Sequence, residues 1–317
     1  METIDILDVT TIEPRLKHPT IFQKFDELEK GEIFVIHNDH DPKPLYYQLL
    51  AERGNTFTWQ YLEEGPQWWK VQISKLKEGE KESTIGDLVS KDFRKAEVFK
   101  QFGLDFCCGG KKTLTKACKD KGLDIVQIEK ELKAVEEKPS TTSQDYNTWD
   151  IGFLAEYILN THHKYVVQAI PVIFEYTQKV AKVHGERHPE AIEIANDFQI
   201  IANELASHMV KEENVLFPYI KRLADAQKNG TAMEPSPFGT IANPIKMMEM
   251  EHEEVGNVME NINRLTNGFT PPDGACTTFR LSYAKLKEFE DDLHQHIHLE
   301  NNILFPKAIA MENDLLG

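Results

Sequence analysis

Cysteine is scarce in this chain, four residues in 317, and the four form no framework of regularly spaced pairs. That excludes a small secreted fold held by disulfides and favours a reducing compartment. Apolar residues never run on for the roughly 18 positions that a membrane-spanning helix requires. The opening METIDILDVTTIEP is acidic and polar and lacks the basic and apolar regions of a secretion signal, so a cytoplasmic location is expected. Positive charge is also short, 36 Lys and Arg against 52 Asp and Glu. The deficit is uneven, about −5 over residues 1–75, about +1 over 76–140 and about −12 over 141–317. A surface of that sign repels phosphate backbones, and no nucleic-acid partner is expected. Apolar content of 40% in a chain of this length suffices for two or three globular cores.

What the chain does possess is a duplicated stretch. HMVKEENVLFP begins at His208 and HIHLENNILFP at His296, and the two agree at six of eleven positions. Each carries a histidine followed four residues later by a glutamate, His208 with Glu212 and His296 with Glu300. On a helix such residues lie one turn apart on one face, so each pair can grip one metal site. Two such turns supply imidazoles and carboxylates, a mixed donor set suited to iron or another first-row metal.

Two further histidines turn the motif into a geometry. The series His163, His208, His252, His296 advances by 45, 44 and 44 residues. Its midpoints fall in HGERHP, AQKNGT and TNGFTPPDGA, the strongest turn signals in this half of the chain. Residues equidistant from the turns of an antiparallel bundle share one height, which puts the four imidazoles at one level. The height alone admits His162 as readily as His163. Apolar residues at helical spacing support the rods: Ile151, Leu154, Ala155 and Ile158; Phe198, Ile201, Ala202 and Leu205; a stretch from about Ile241 to Leu265; and Phe279, Tyr283, Leu286, Phe289, Leu293 and Ile297. A single histidine on such a face is ordinarily a hydrogen-bonded core residue, but four in register with a duplicated glutamate are hard to explain by packing.

These residues carry a family resemblance. From about Trp149 onward the chain looks like a haemerythrin-like di-iron bundle, and residues 80–317 resemble the bacterial repair-of-iron-centres proteins. The shared motifs are DFCCGG at 105–110, SHMVKEENVLFP around His208, MEMEHEE around His252, PDGACTTF from Pro272 and DDLHQHIHLENNILFP around His296. The resemblance implies two non-haem iron ions, oxo- or hydroxo-bridged, with His163, His208, His252 and His296 as terminal ligands and Glu212 and Glu300 as bridges. Alignment on Pro171 is what favours His163 over His162. His184, where such proteins can also carry a histidine, is set aside, because its 21 residues from His163 span roughly 31 Å of helix. The implied role is repair of iron-sulfur clusters damaged by nitric oxide or oxidative stress, by supplying iron to client proteins. Nitric oxide reduction, or sensing of nitric oxide or dioxygen at the same centre, is the alternative, and a homodimer is compatible with either.

The expected fold is multidomain and mainly α. It comprises an α+β two-layer domain over 1–75, a small helical domain over 80–138, a linker over 139–148 and an up-down-up-down four-helix bundle over 149–317. The first segment reads β, α, β, α, β, β and resembles the sulfur-carrier proteins, yet it has no cysteine before Cys107, so sulfur transfer by it is unsupported. Its NDHDPKPL run gathers His37, Asp39, His40 and Asp41, which reads as a capped helix start before it reads as a ligand site. The vicinal Cys107 and Cys108 precede Gly-Gly, Lys111 and Lys112, an arrangement that favours accessible, functional thiolates. Cys118 and Cys276 are expected to be packing residues.

Overall fold

The computed structural model describes residues 5–53, 56–76, 82–137, 145–233, 236 and 238–316. The protein is multidomain and mainly α-helical, with one small sheet confined to the unit Met1–Glu82. That unit runs β1 (Asp5–Asp8), α1 (Pro14–Glu27), β2 (Ile33–Asn38), α2 (Lys43–Arg53), β3 (Phe57–Glu64) and β4 (Trp69–Lys75). The sheet order is β1-β2-β4-β3; β1 and β2 are parallel and the other pairs antiparallel. Only a crossover can join parallel neighbours, and α1 supplies it. Phe57 points from β3 to meet Phe25 of α1 at 5.7 Å and Tyr46 of α2 at 5.9 Å, so both helices cover one face.

Helix α1 stops at Glu27, where Leu28 takes an extended conformation. Pro14 occupies the first turn, where a missing N–H is harmless, and the bond that Pro19 forgoes lies close to the helix start. In the NDHDPKPL run, Asp41 accepts the Lys43 N–H at 3.0 Å and the Tyr61 hydroxyl at 2.7 Å, while His40 pairs with Asp39 at 2.7 Å. The run is a helix cap, and no cluster of metal donors forms there among the described residues.

The second unit, Ser83–Gly317, joins the cysteine segment to the bundle. Thr84 and Asp87 form a reciprocal capping box that opens α3 (Ile85–Lys91). A break separates α3 from α4 (Lys95–Gln101), because Asp92 takes the Arg94 N–H and guanidinium. Thr113 and Asp124 then cap α5 (Leu114–Lys121) and α6 (Ile125–Glu136). Of the expected linker, residues 139–144 lie outside the described residues. Beyond them, Tyr146 is buried and the Asn147 amide donates to the Ser90 carbonyl at 2.7 Å, which fastens the chain to α3 as the bundle begins.

Four rods make the bundle, and three are interrupted by a π turn. The first comprises α7 (Ile151–Ile158), a π turn at Leu159–His163 and α8 (Lys164–His184). The second comprises α9 (Glu190–Lys211), a π turn at Glu212–Leu216 and α10 (Phe217–Asn229). Helix α11 (Ala242–Leu265) is the third, and the fourth joins α12 (Thr277–Leu299), a π turn at Glu300–Leu304 and α13 (Phe305–Leu316). The three expected turn regions fall between the rods. Helix α9 packs on α8 and α11, α12 on α8, and α10 on α7 and α13. Leu154, Ile158, Ile220, Leu223, Ile245 and Leu304 build a core at one end. Toward the other end Phe198, Ile201, Met259, Leu286 and Phe289 are buried.

The loop before α11 is held by one buried carboxylate. Glu312 of α13 accepts from the Tyr219 hydroxyl at 2.8 Å, the Thr240 hydroxyl at 2.6 Å and the Ile241 N–H at 2.9 Å. Replacing Glu312 by Ala orphans these donors. Charge-assisted bonds of this kind make the expected cost about 2 kcal/mol, or a fall of about 4–8 °C in the unfolding midpoint of the full chain. An unchanged midpoint in a calorimetric scan would show that the anchor contributes nothing.

Candidate metal centre

The helical repeat carries His208 and Glu212, and His296 and Glu300, to the same inner faces, with Nε2 to carboxylate distances of 3.2 and 3.0 Å. His163 and His252 reach the same level from the first and third rods. His163 Nε2 lies 3.4 Å from Glu212 and 3.8 Å from Glu300, and His252 Nε2 lies 3.2 Å from Glu300. The six side chains form two sets of four donors, each set within 4.8 Å: His163, Glu212, His296 and Glu300, and His208, Glu212, His252 and Glu300. Both glutamates belong to both sets, which is the topology of two bridging carboxylates. All six residues are buried to 1% exposure or less.

Outer partners fix three of the imidazoles. The Nδ1 atoms of His163, His208 and His252 donate to Glu213 at 2.9 Å, Glu251 at 2.8 Å and Asn301 at 2.9 Å. Each bond turns the Nε2 lone pair toward the centre of the bundle. Sequence reasoning missed these three residues. Each adjoins a ligand candidate in sequence, yet each meets a histidine of another rod, a pairing that only the rotation of the rods determines. His162 sends Nδ1 to Asp292 at 2.9 Å and stacks on His296, outside both donor sets.

The donors fit a pair of iron ions. His163 Nε2, both Glu212 oxygens and Glu300 Oε2 are buried and make no hydrogen bond among the described residues, which is costly unless a cation meets them. His208 Nε2 and His252 Nε2 stand 2.9 Å apart, close to the ~3.0 Å between two nitrogens at right angles on one metal at about 2.1 Å. Imidazole with carboxylate, and no thiolate, is a donor set that iron accepts.

Electrostatics reach the same point. Burial works against the His163 imidazolium, but Glu212 and Glu300 outweigh it and hold its pKa up at about 10. For His208 burial is likewise overcome, by Glu212, Glu300 and Glu251, to about 9. Burial raises the Glu300 carboxyl, yet His296, His163 and His252 take it well below its ordinary value. Glu212 is lowered too, against burial and the charge of Glu300, by His208 and His163. Two carboxylates therefore face two imidazoliums, and protons occupy the places of cations.

The cysteine loop departs from expectation. Cys107 is buried, its thiol donates to Asp105 Oδ1 at 3.1 Å, and Cys108, burial and Asp105 push its pKa well up. Lys111 pairs with Glu249 at 2.6 Å and Lys112 with Asp120 at 3.3 Å, so the two cations that were expected to favour thiolates are engaged elsewhere. The second glycine of CCGG serves a close approach: a Cβ on Gly110 would stand 2.3 Å from Asn302 Oδ1 and 2.6 Å from the Phe106 carbonyl. Asn302 in turn donates to the Phe106 and Cys107 carbonyls at 3.2 Å, and Cys108 Sγ lies 3.5 Å from the His252 carbonyl. Cys118 is buried as expected, whereas Cys276 is exposed and meets His184 at 3.3 Å, because it stands at the start of α12 rather than inside it. His184 lies far along α8, away from the donor sets.

Comparison with known proteins agrees with this geometry. The family described as "Hemerythrin HHE cation binding domain" matches residues 154–308, "Domain of Unknown function (DUF542)" matches 81–136 and "Uncharacterized conserved protein (DUF2249)" matches 6–75. The "Iron-sulfur cluster repair protein YtfE" of Dickeya chrysanthemi (strain Ech1591) is 37% identical over 73% of this chain and 99% of its own length. The proteins of the same name from Yersinia pestis (strain Pestoides F) and Yersinia pseudotuberculosis serotype IB (strain PB1/+) are each 38% identical over 72% of this chain and 97% of theirs.

Both raised histidines must lose a proton before they can ligate. Loading the metal-free chain with two divalent ions at pH 7 is therefore expected to release about two protons per chain, measured by pH-stat titration. A pKa raised on folding stabilises the metal-free chain fully below about 6.5, and that contribution is lost as pH rises through 9 to 10. The metal-free unfolding midpoint should fall over that range and the loaded one should not share the fall. Release of no protons would mean that both imidazoles are neutral before loading.

Proposed function

The chain belongs to the iron-sulfur cluster repair family of haemerythrin-like proteins, and from that premise we propose that it repairs damaged clusters by giving up iron held between its four bundle rods. In this reading His163, His208, His252 and His296 are terminal ligands and Glu212 and Glu300 are bridges. The observation that carries it is the pair of buried donor sets sharing both glutamates, with carboxylate oxygens left without hydrogen bonds among the described residues.

The protein's own residues do three things. Glu213, Glu251 and Asn301 hold imidazoles in the tautomer that presents Nε2 inward, an arrangement typically worth 10–100-fold in metal affinity. The two bridging carboxylates neutralise cationic charge at the centre, and the buried rods at either end exclude bulk water. Bound iron is both the centre's occupant and the material delivered to the client. Nitric oxide and oxidants are the insults that the family resemblance implies, and apo-cluster or damaged-cluster proteins are the clients. No described helix is long and apolar enough to cross a membrane. We place the protein in the cytoplasm, where its thiols stay reduced.

The test uses a client enzyme inactivated by nitric oxide. Iron-loaded full-length chain should restore its activity in stoichiometric proportion to the iron supplied. The Glu212→Ala, Glu300→Ala double variant should carry almost no iron and restore nothing. Recovery that ignores these carboxylates would sink the reading, and nitrous oxide formed over several turnovers would favour a reductase instead.

A further inference from the structure

A cavity of about 270 Å³ opens where the cysteine loop rests on α11 and the last π turn. Cys107 and Cys108 line it, with Glu249 and Glu253 of α11 and with Asn301, the residue that fixes His252. Lys111 and Lys246 also reach it, but Lys111 is already neutralised by Glu249 at 2.6 Å. Asp105, Cys107 and Cys108 offer three donor atoms within 4.8 Å of one another.

The sulfur spacing identifies what the pair suits. Cys107 Sγ and Cys108 Sγ stand 3.9 Å apart. Two sulfurs each about 2.3 Å from one tetrahedral ion stand about 3.8 Å apart, so the observed gap needs almost no adjustment to hold a cation. A disulfide would require the same atoms to close to about 2.05 Å. Cys107 is fixed within the core, and its loop is tied by Asp105, which accepts the N–H groups of Cys107 at 3.0 Å, Cys108 at 3.0 Å and Gly109 at 2.8 Å. The loop backbone thus holds the two cysteines side by side, with Cys107 fixed by burial.

We propose that Cys107 and Cys108 form a thiolate site for one thiophilic divalent cation in this cavity, separate from the paired-metal centre and one residue's width from it. The cation replaces the two thiol protons, which leave to water; two metal–sulfur bonds form and no electron is transferred. A dication stabilises thiolates outright, even where burial and Asp105 favour the thiol in its absence. Asp105 remains beside the pair, and the open side of the cavity leaves coordination positions for water or for a thiolate of an incoming client. In the working protein the ion is ferrous iron, a part of the proposal that rests on the iron-supply reading above. The site is then a staging point between the bundle and the apo-cluster.

Anaerobic titration of the metal-free full-length chain with cobalt(II) tests the site, because thiolate ligation gives an ultraviolet charge-transfer band that imidazole and carboxylate do not. The wild type should bind about three cobalt ions per chain, one of them with the band. Cys107→Ser, Cys108→Ser should bind two and lose it. Cys108→Ser alone alters only the half-buried sulfur, and should weaken the band-forming site at least about tenfold with an unchanged circular dichroism spectrum. Cys276→Ser should keep the band. Its absence in the wild type, or its persistence in both Cys108 variants, overturns the thiolate site. Glu212→Gln, Glu300→Gln separates the two readings: the band should survive while the paired ions are lost, and retention of all three ions would count against the bundle centre and not against the cysteines.

Discussion

Two carboxylates buried side by side govern the bundle. Glu212 and Glu300 are both fully enclosed, and each appears in both donor sets, so their mutual repulsion has to be met by positive charge wherever the chain is folded. In the metal-free protein that charge is the imidazolium of His163 and His208. In the loaded protein it is the metal. The four histidines, their outer partners and the apolar cores at either end can be understood as the surroundings that make this concentration of acid tolerable.

The π turns place the acids. Each of three rods carries one, and each touches the centre: His163 closes the first, Glu212 opens the second and Glu300 opens the third. Such turns are rare, concentrate at functional sites and forgo regular α bonding to widen the helix locally. In the last of them, Glu300, Asn301 and Asn302 take up consecutive tasks. The first lies among the histidines, the second holds His252 and the third clamps the cysteine loop. The backbone thus links the candidate metal donors to the thiols over three residues.

Much of this was legible because helices are periodic and the chain is duplicated. Counting from turn to turn was enough to set His163, His208, His252 and His296 at one height, and the spacing of four residues was enough to bring each glutamate beneath its histidine. What counting could not supply was rotation. The choice between His162 and His163 falls inside a π turn, where the α repeat gives no guide, and Glu213, Glu251 and Asn301 act on other rods. The cysteine loop was misjudged for a different reason. Gly-Gly and two lysines look like exposure and positive charge, but Gly110 makes room for Asn302 and the lysines turn to Glu249 and Asp120. Composition names the groups present near a thiol and is silent on where they point.

The last π turn also sets the angular phase of everything after it. A regular helix advances about 100° per residue and the wider π turn less, so winding Glu300–Leu304 as an ordinary α turn with no residue lost would swing α13 by roughly a quarter of a circle. Glu312 would then face away from Tyr219, Thr240 and Ile241, and the apolar side of Phe305 and Ala308 would turn outward. The irregularity that shapes the candidate metal centre is therefore also the gauge by which the far end of the bundle closes, and regularising it would be felt at both places at once.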